Sequence, residues 1–385
     1  MGAPNQQKII WFLWGDPTYT ASSRIHGLAV HRKLVALGYN SFIAYIPRQA
    51  EDIVPFSSAI ADDLKKRIRP GDVIVFQKLK HADNLPLLQF LKRLQARLIL
   101  IDCDWPPALD VGHAVNHVVC TSDLLRQHYV RAGVPASYIE DSPEVFLPAR
   151  AIKPREVLTC VWFGEGSPDR WRDVEVLKEI LSDHRLSRWR LVTVSNHPEA
   201  TIQWKPNALH ALTAGDVVAL PVFDLSNQFA VKSANRMLQA MALSIPVVCS
   251  PLPAYEAVAA AGVGAVICDT REAWITALLA LQDNTHRAAL AAQAFETAGC
   301  YHLDQLIFSW IGTLGLTNDY KGMETIERKK SARQLQRLFY GELIKKNINY
   351  LLDSPISATS FAGAAAYFQR KCNRILRGWG ARPSP

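Results

Sequence analysis

Residues 216–256 read DVVALPVFDLSNQFAVKSANRMLQAMALSIPVVCSPLPAYE and are the most informative segment for the fold. A β-branched apolar run ends at Pro221, a polar loop follows, and a helical pattern begins near Lys232-Ser233. A second apolar run, 246–249, comes after that helix. A strand, a helix and another strand in this order are typical of a parallel sheet covered by helices.

The same alternation continues on both sides of this segment. The apolar runs expected to form strands are 8–14, 41–46, 72–77, 97–102, 117–120, 157–163, 190–194, 217–221, 246–249 and 265–267. The helical patterns are 23–37, a helix opened by 121–123, one from about residue 173, 233–242 and 271–282. Prolines interrupt the pattern over 142–154, where we place a domain boundary. The predicted fold class is therefore α/β, with two tandem Rossmann-like domains, 1–150 and 151–316, and a basic helical tail, 317–385.

The charge of the chain is concentrated in that tail. The whole sequence carries 43 Lys and Arg against 35 Asp and Glu, a formal net charge of +8. Residues 321–385 hold 13 basic and 4 acidic residues, which leaves the first 320 residues near neutral, at −1. A near-neutral body lacks the positive surface that a nucleic-acid channel requires, so we expect no nucleic-acid partner.

The composition indicates a folded cytoplasmic protein. The N-terminal residues show no signal-peptide pattern, and no apolar run reaches the ~18 residues of a membrane-spanning helix. The seven cysteines form no C-x-x-C or C-x-x-H pair, and most lie in strand-like runs, so we expect reduced, buried thiols. His113 and His117 lack the glutamate of an H-E-x-x-H motif, and we predict no metal site.

Two cations begin the helix of the 216–256 segment. Lys232 and Arg236 are four residues apart, a spacing that places both on one helical face near the positive N-terminal end. With Ser233 and the free N–H groups of the first turn, they predict a diphosphate site. Gln239 continues that face and is expected to reach a ribose hydroxyl. The alternative is a solvated basic face without a ligand.

A glycine-containing turn heads the second half of the chain. Gly164, Glu165, Gly166 and Ser167 follow a predicted strand, where phosphate-binding loops are found. A G-x-G sequence is weak evidence by itself, because ordinary turns also need glycine.

The first half offers two candidate elements at strand ends. Gly15 follows the first strand, and Ser23 and Arg24 lie at the start of the next helix, an arrangement suited to an anion or a sugar. Asp102 and Asp104 end another strand, and their i, i+2 spacing directs both carboxylates to one side. They are candidates for a base or for binding acceptor hydroxyls. The alternatives are a capping serine with an exposed arginine, and a helix N-cap with a solvated aspartate.

The 216–256 segment resembles the donor-binding stretch of retaining GT-B glycosyltransferases of the family-4 kind. In that pattern a strand ends in Pro, a K-S-x-x-K-x-x-E-A-M-A-x-G-x-P-V-V run follows, and a Tyr-Glu turn leads to a G-x-G strand. The residues that match it in order are Asp216, Pro221, Lys232, Ser233, Arg236, Ala240, Met241, Ala242, Pro246, Val247, Val248, Tyr255, Glu256, Gly262 and Gly264. The sequence departs from the pattern with Gln239 for the glutamate and Ser244 for the glycine. Val231 also replaces the first acid of an E-x7-E motif.

The resemblance implies a nucleotide-sugar donor, UDP- or GDP-linked, bound mainly by the second domain. Lys232, Ser233 and Arg236 would bind its diphosphate, with Gly164 and Ser167 close by and Gln239 at the ribose. The cations and the helix end, rather than a metal, would stabilise the leaving diphosphate, and configuration would be retained.

On the acceptor side, the resemblance makes His26, Asp102 and Asp104 the catalytic candidates. Gly15, Ser23 and Arg24 would contact the acceptor. No separate cofactor is expected.

The tail suggests an interfacial helix. Residues 360–379 place Phe361, Phe368 and Trp379 near one helical face, with basic residues largely elsewhere. Such a helix would bind an anionic membrane, at the inner face of the plasma membrane, or a partner protein. The alternative is packing against the body of the protein.

Together these features predict a hexosyltransferase that acts on a glycan or lipid-linked acceptor in bacterial cell-surface glycan synthesis. The open alternatives are a non-catalytic scaffold on the same fold and a nucleotide-sugar epimerase. A solute-binding protein is disfavoured by the missing signal peptide, and a DNA-glycosylating enzyme by the neutral body.

Overall fold

The computed structural model describes residues 7–147, 154–205, 207–222, 224–262, 264–316, 336, 338, 339, 341 and 342. Within them the chain forms two six-stranded parallel sheets with helices on both faces, which confirms the predicted α/β class. Both sheets belong to one compact unit that extends to Phe339.

The first sheet has the strand order β2-β1-β3-β4-β5-β6. Its strands are β1 (Lys8–Leu13), β2 (Asn40–Tyr45), β3 (Val73–Gln77), β4 (Arg97–Asp102), β5 (His117–Cys120) and β6 (Ala136–Tyr138). The order reverses between β1 and β3, so the crevice at their carboxyl ends is where a parallel sheet binds ligands.

The second sheet has the order β12-β11-β10-β7-β8-β9. Its strands are β7 (Leu158–Phe163), β8 (Trp189–Ser195), β9 (Ile202–Gln203), β10 (Val217–Leu220), β11 (Val247–Cys249) and β12 (Ala265–Ile267). Here the order reverses between β7 and β10, which places the ligand crevice beside Gly164 and Pro221.

The helices connect these strands. They are α1 (Val30–Ala36), α2 (Ser58–Arg67), α3 (Leu85–Arg93), α4 (Leu109–Ala114), α5 (Asp123–Arg131), α6 (Pro168–Leu181), α7 (Asn227–Ala230), α8 (Asn235–Ala242), α9 (Pro253–Ala261), α10 (Arg271–Ala280), α11 (Asn284–Gly299) and α12 (Leu303–Leu314). A π-helical segment, Ser23–Ala29, leads into α1.

Two predicted helix starts were wrong. Helix α6 begins at Pro168 rather than near residue 173, because proline suits the first helical position and Asp169 suits the first turn. Helix α8 begins at Asn235, so Lys232 and Ser233 precede it. In contrast, Ser122 caps α5 as expected, since its side chain accepts from the Leu125 N–H.

The strands are apolar on both faces because helices cover both faces of each sheet. Along β1, Ile10 and Phe12 pack into one core of the first sheet, and Ile9, Trp11 and Leu13 pack into the other. The second sheet likewise separates two cores.

The last described helix of the second half returns to the first sheet. In α12, Ile307, Trp310 and Leu314 join the core formed by β1, and Arg97 donates to the Thr313 carbonyl at 3.2 Å. The second half of the chain therefore completes the core of the first sheet.

Phe339 also packs on the first sheet, with its ring centroid 5.3 Å from that of Phe12. In the predicted basic helical tail, residues 336, 338, 339, 341 and 342 are helical, and the rest of the tail, including 360–379, lies outside the described residues.

Candidate functional site

The carboxyl ends of β7 and β10 carry the predicted donor site. Gly164 directly follows β7, and a Cβ built there would lie 3.2 Å from Nη1 of Arg236 and 3.1 Å from the Trp162 ring. Arg236, in the first turn of α8, donates to the Phe163 carbonyl at 3.4 Å. Glycine at this position therefore lets the guanidinium approach the strand end.

A second guanidinium lies beside Arg236. Arg170, in the first turn of α6, has its guanidinium carbon 4.3 Å from the ring centroid of Phe229. Burial and then the charge of Arg236 lower the pKa of Arg170. Arg170 forms a long ion pair with Asp173, at 3.9 Å, and no described carboxylate forms an ion pair with Arg236. Two cations that repel each other at a strand end form a site suited to an anion.

Sequence reasoning missed Arg170. The signal was present, because Ser167, Pro168 and Asp169 form a recognisable helix start, and a residue in the next position falls in the first turn. The late start predicted for this helix placed Arg170 in a loop.

Lys232 lies close to the first sheet instead of on the same helical face as Arg236. Its ammonium is paired with the Asp104 carboxylate, which follows β4. The expected helical spacing of Lys232 and Arg236 was wrong because α8 begins only at Asn235.

The neighbours of Lys232 also contact the first half of the chain. Val231 is buried in the core of the first sheet, and its carbonyl accepts from the Ser122 hydroxyl at 2.5 Å. The Ser233 hydroxyl donates to Asp141 at 2.6 Å. Residues 231–233 therefore join the two sheets at the predicted donor site.

Asp104 is shared by two lysines. Its second carboxylate oxygen lies 2.6 Å from Nζ of Lys78, the residue after β3. Burial favours the neutral acid, but the charges of Lys232 and Lys78 outweigh it and hold the pKa of Asp104 well below its usual range. Asp104 is therefore a carboxylate between the two sheets.

Asp102 does not share that environment. It is fully buried, with Lys80 Nζ at 2.9 Å and the Tyr129 hydroxyl donating at 2.6 Å. The expectation that Asp102 and Asp104 act together on one side is not met, because Asp102 is enclosed by its own partners. The catalytic role expected of Asp102 stays a prediction, and its carboxylate is fully buried against these two partners.

The acceptor-side candidates are held by internal contacts. The Gly15 N–H donates to the Ser23 hydroxyl at 3.2 Å, and Ser23, fully buried, donates to Gln77 at 2.9 Å. Arg24 pairs with Glu144, with Nη2 2.9 Å from its carboxylate. These residues lie at the carboxyl end of β1, where the Ser23 and Arg24 side chains are already bonded, and their contact with an acceptor stays a prediction.

His26 belongs to a buried acidic cluster. It is 5% exposed and its Nε2 contacts Asp141, while its Nδ1 has no hydrogen-bond partner among the described residues. Burial and then the charge of Asp141 raise the pKa of Glu140 to about 8, and Tyr138 donates to that carboxylate. The cluster lies between the first sheet and the start of α8.

Gln239 lies away from an open crevice. It is 2% exposed, its Oε1 accepts from the Glu144 N–H at 2.7 Å, and its Nε2 donates to the Val145 carbonyl at 2.9 Å. These contacts attach the connection between the sheets to α8, and a contact from Gln239 to a ribose would require breaking them.

Ser167 and Gly166 lie in the turn before α6. The Ser167 hydroxyl donates to Glu165 at 2.8 Å, and the Gly166 N–H donates to Asn196 at 2.6 Å. Nearby, the rings of Trp171 and His197 stack with centroids 3.8 Å apart. The turn is thus fixed by its own polar contacts beside an aromatic pair.

A cavity of about 490 Å³ opens at the same edge of the second sheet. It is lined by Pro221 and Val222 after β10, Ser250 after β11, and Cys268 and Trp274 around the start of α10. Its size suits a small ligand.

Among the described residues, no cluster of three metal-ligating side chains is present, and no helix is long and apolar enough to cross a membrane. Within the same residues the cysteines are free thiols, and Cys120, Cys160, Cys249 and Cys268 are buried as expected.

Solved structures share this fold. HepE from Anabaena, in complex with UDP and glucose, aligns with a TM-score of 0.58 and 12% identity, covering 81% of this chain and 100% of that one. A glycosyltransferase from Rickettsia africae gives 0.56 and 10% identity, over 80% and 98% of the two chains. The GtfA/B complex gives 0.52 and 10% identity over 67% of this chain, which spans only 59% of that one. No protein-family model matches this sequence, and no curated protein is significantly similar to it.

Two parallel six-stranded sheets joined in this way define the GT-B fold. The fold expected from residues 216–256 is therefore confirmed. At 10–12% identity the likeness concerns the fold, and the activity has to be argued from the residues of this chain.

Proposed function

We propose that this protein is a glycosyltransferase that moves a sugar, a hexose by our expectation, from a UDP- or GDP-linked donor. The observation that carries the proposal is the meeting of Arg170, Arg236 and Gly164 at the β7–β10 crevice, with Lys232 as a further cation. HepE, which has the same fold, is solved with UDP-glucose. Cations at a crevice of this kind suit a diphosphate.

In the proposed reaction the bond between the anomeric carbon and the diphosphate breaks, and the acceptor hydroxyl forms the new glycosidic bond. Arg170, Arg236 and Lys232 would stabilise the charge that develops on the departing diphosphate. The diphosphate would take the acceptor proton on the same face, so configuration would be retained. In this scheme neither a protein nucleophile nor a metal is required.

We propose a glycan or lipid-linked acceptor in bacterial cell-surface glycan synthesis, at the cytoplasmic side of the membrane. His26 and Asp104 remain the acceptor-side candidates. The basic tail would supply contact with an anionic membrane or a partner protein, and it lies almost entirely outside the described residues.

Calorimetry with UDP, GDP, CMP and ADP tests the proposal. We expect a nucleoside diphosphate to bind, and Arg236→Ala or Arg170→Ala to weaken binding about tenfold or more, because each removes a charged contact to phosphate. Arg172→Ala is the matched control, since Arg172 lies two residues along the same helix and is exposed.

If none of the four nucleotides bound, the protein would be a non-catalytic scaffold with this fold rather than an enzyme. If a UDP- or GDP-sugar were bound and isomerised without any acceptor, the protein would be an epimerase. Transfer to an added glycan acceptor would support the proposed activity.

A further inference from the structure

The ammonium of Lys232 is already occupied by an anionic group of the protein. The Asp104 carboxylate contacts Lys232 with one oxygen and lies 2.6 Å from Lys78 Nζ with the other. Lys232 is 33% exposed and Asp104 18% exposed, so the pair is partly accessible to an incoming ligand.

The position of Asp104 is fixed by contacts with other residues of the first half of the chain. Lys80 Nζ donates to the Asp104 carbonyl at 2.5 Å, and the Asp104 N–H donates to Asp102 at 3.2 Å. The Asp102 carboxylate is in turn buried against Tyr129. Asp104 therefore does not need to be ordered before it binds Lys232, which lowers the entropic cost of that contact.

The position of Lys78 is fixed as well, by its backbone conformation and by a contact of its ammonium. It follows β3 with a φ of 61°, a left-handed conformation that is uncommon for a residue with a side chain. Its Nζ lies 3.8 Å from the centroid of the Trp14 ring, a cation–π contact that fixes the ammonium beside Asp104. Burial opposes its charge, but Cys103 and Asp104 raise its pKa, so Lys78 stays protonated.

We infer that Asp104 is a built-in competitor of the donor diphosphate for Lys232, and that Lys78 is the positioning residue that retains Asp104 when the diphosphate takes its place. This rests on the proposed function, because it takes Lys232 as a diphosphate ligand. The exchange conserves charge pairing: Lys232 passes from a carboxylate to a phosphate, and Asp104 keeps Lys78. Donor binding thus loosens one contact between the two sheets.

The affinity for UDP and GDP, measured by calorimetry, tests the exchange in the full chain. We expect Asp104→Asn to raise the affinity about fivefold, or ~1 kcal/mol, as for a partly exposed ion pair. Lys78→Met should lower it about threefold, because Asp104 then has Lys232 as its remaining close cation. Methionine is unbranched like lysine, so the backbone strain at position 78 is matched.

The double variant separates this exchange from a structural role of Lys78. In the Asp104→Asn background, Lys78→Met should change the affinity by less than about twofold, since no carboxylate remains to be retained. A loss of the full threefold there would overturn the role of Lys78. If Asp104→Asn did not fold, Asp104→Ser would carry the same expectation, and the sign of the Lys78→Met effect would still test the exchange.

Two failures can be told apart. If the wild-type protein bound a nucleoside diphosphate and Lys232→Met weakened it, but Asp104→Asn left the affinity unchanged or lower, the competition would be refuted and the transferase would stand. If neither the wild-type protein nor Asp104→Asn bound UDP or GDP, the proposed function and the competition would both fall.

Discussion

The carboxyl edges of the two sheets carry similar charged and polar residues, but these residues find their partners differently at the two edges. At the first edge, Ser23 is bonded to Gln77, Arg24 to Glu144, and Asp102 to Lys80. At the second edge, Arg170 has a long ion pair with Asp173, at 3.9 Å, and among the described residues no carboxylate pairs with Arg236. Side chains whose polar groups all have partners within the protein are fixed in place. An edge with excess positive charge instead favours the binding of an anion. The comparison therefore favours a framework role for the first edge and supports the anion binding proposed for the second.

The largest effect on stability is expected from a substitution at the first edge, where the polar side chains are paired within the protein. Asp102→Ala leaves the buried Tyr129 hydroxyl and the partly buried Lys80 ammonium without their carboxylate, which should lower the free energy of unfolding by about 3 kcal/mol. Urea denaturation measures it. Asp110→Ala, at an exposed position of α4, should change stability by less than about 0.5 kcal/mol. Equal effects of the two variants would contradict a framework role for the first edge.

A pH-dependent effect of intermediate size is expected between the two edges, at Glu140. Its pKa is raised to about 8 by burial and by Asp141, so the folded protein binds a proton that the unfolded chain releases above its ordinary pKa. The free energy of unfolding should therefore fall as the pH rises from about 5 to 8, by about 1–3 kcal/mol.

Glu140→Gln removes the titratable carboxyl group. The free energy of unfolding of this variant should therefore change less between about pH 5 and 8. The check is thermal unfolding of both proteins across this pH range. Parallel curves for the wild-type protein and Glu140→Gln would show that Glu140 does not titrate in this window.

The smallest effect on stability, and a specific one on binding, is expected at the second edge. Gly164→Ala places a methyl group 3.2 Å from the Arg236 guanidinium, so that side chain must shift. We expect a loss of stability of about 1 kcal/mol and a roughly tenfold loss of UDP or GDP affinity.

Gly299→Ala is the matched control for Gly164→Ala, because a Cβ there meets nothing within 4 Å. Calorimetry and urea denaturation of both variants give the two quantities. Unchanged nucleotide affinity in Gly164→Ala would separate Gly164 and Arg236 from the donor site.

Much of the fold could be predicted because parallel strands covered on both sides are apolar runs. The strands 97–102, 117–120 and 265–267 have the predicted bounds. The short edge strands β6 and β9 have two or three residues and no buried apolar run, so the sequence carried little signal for them. The left-handed conformation of Ser244, with a φ of 57°, explains why the family pattern has glycine there.

The candidate site was predicted less completely than the fold. Its side-chain contacts join residues of the two halves of the chain, and no local sequence pattern indicates such contacts. Gly164 and Arg236 could be found from their positions at a strand end and a helix start. The partners of Lys232 and Arg24, which are Asp104 and Glu144, lie more than 100 residues away. Gln239 is likewise enclosed by distant residues, since its partners at 144 and 145 lie 95 and 94 positions away. The division into domains 1–150, 151–316 and 317–385 remains a prediction.

The return of α12 to the first sheet has a consequence for synthesis on the ribosome. The surface that receives Ile307, Trp310 and Leu314 is complete in sequence once Ile139 has emerged, yet it stays uncovered until some 170 further residues have been translated. At typical elongation rates that interval lasts roughly ten seconds or more. The nascent first half therefore displays an apolar surface that a chaperone would protect, and its folding finishes only after the second half has been made.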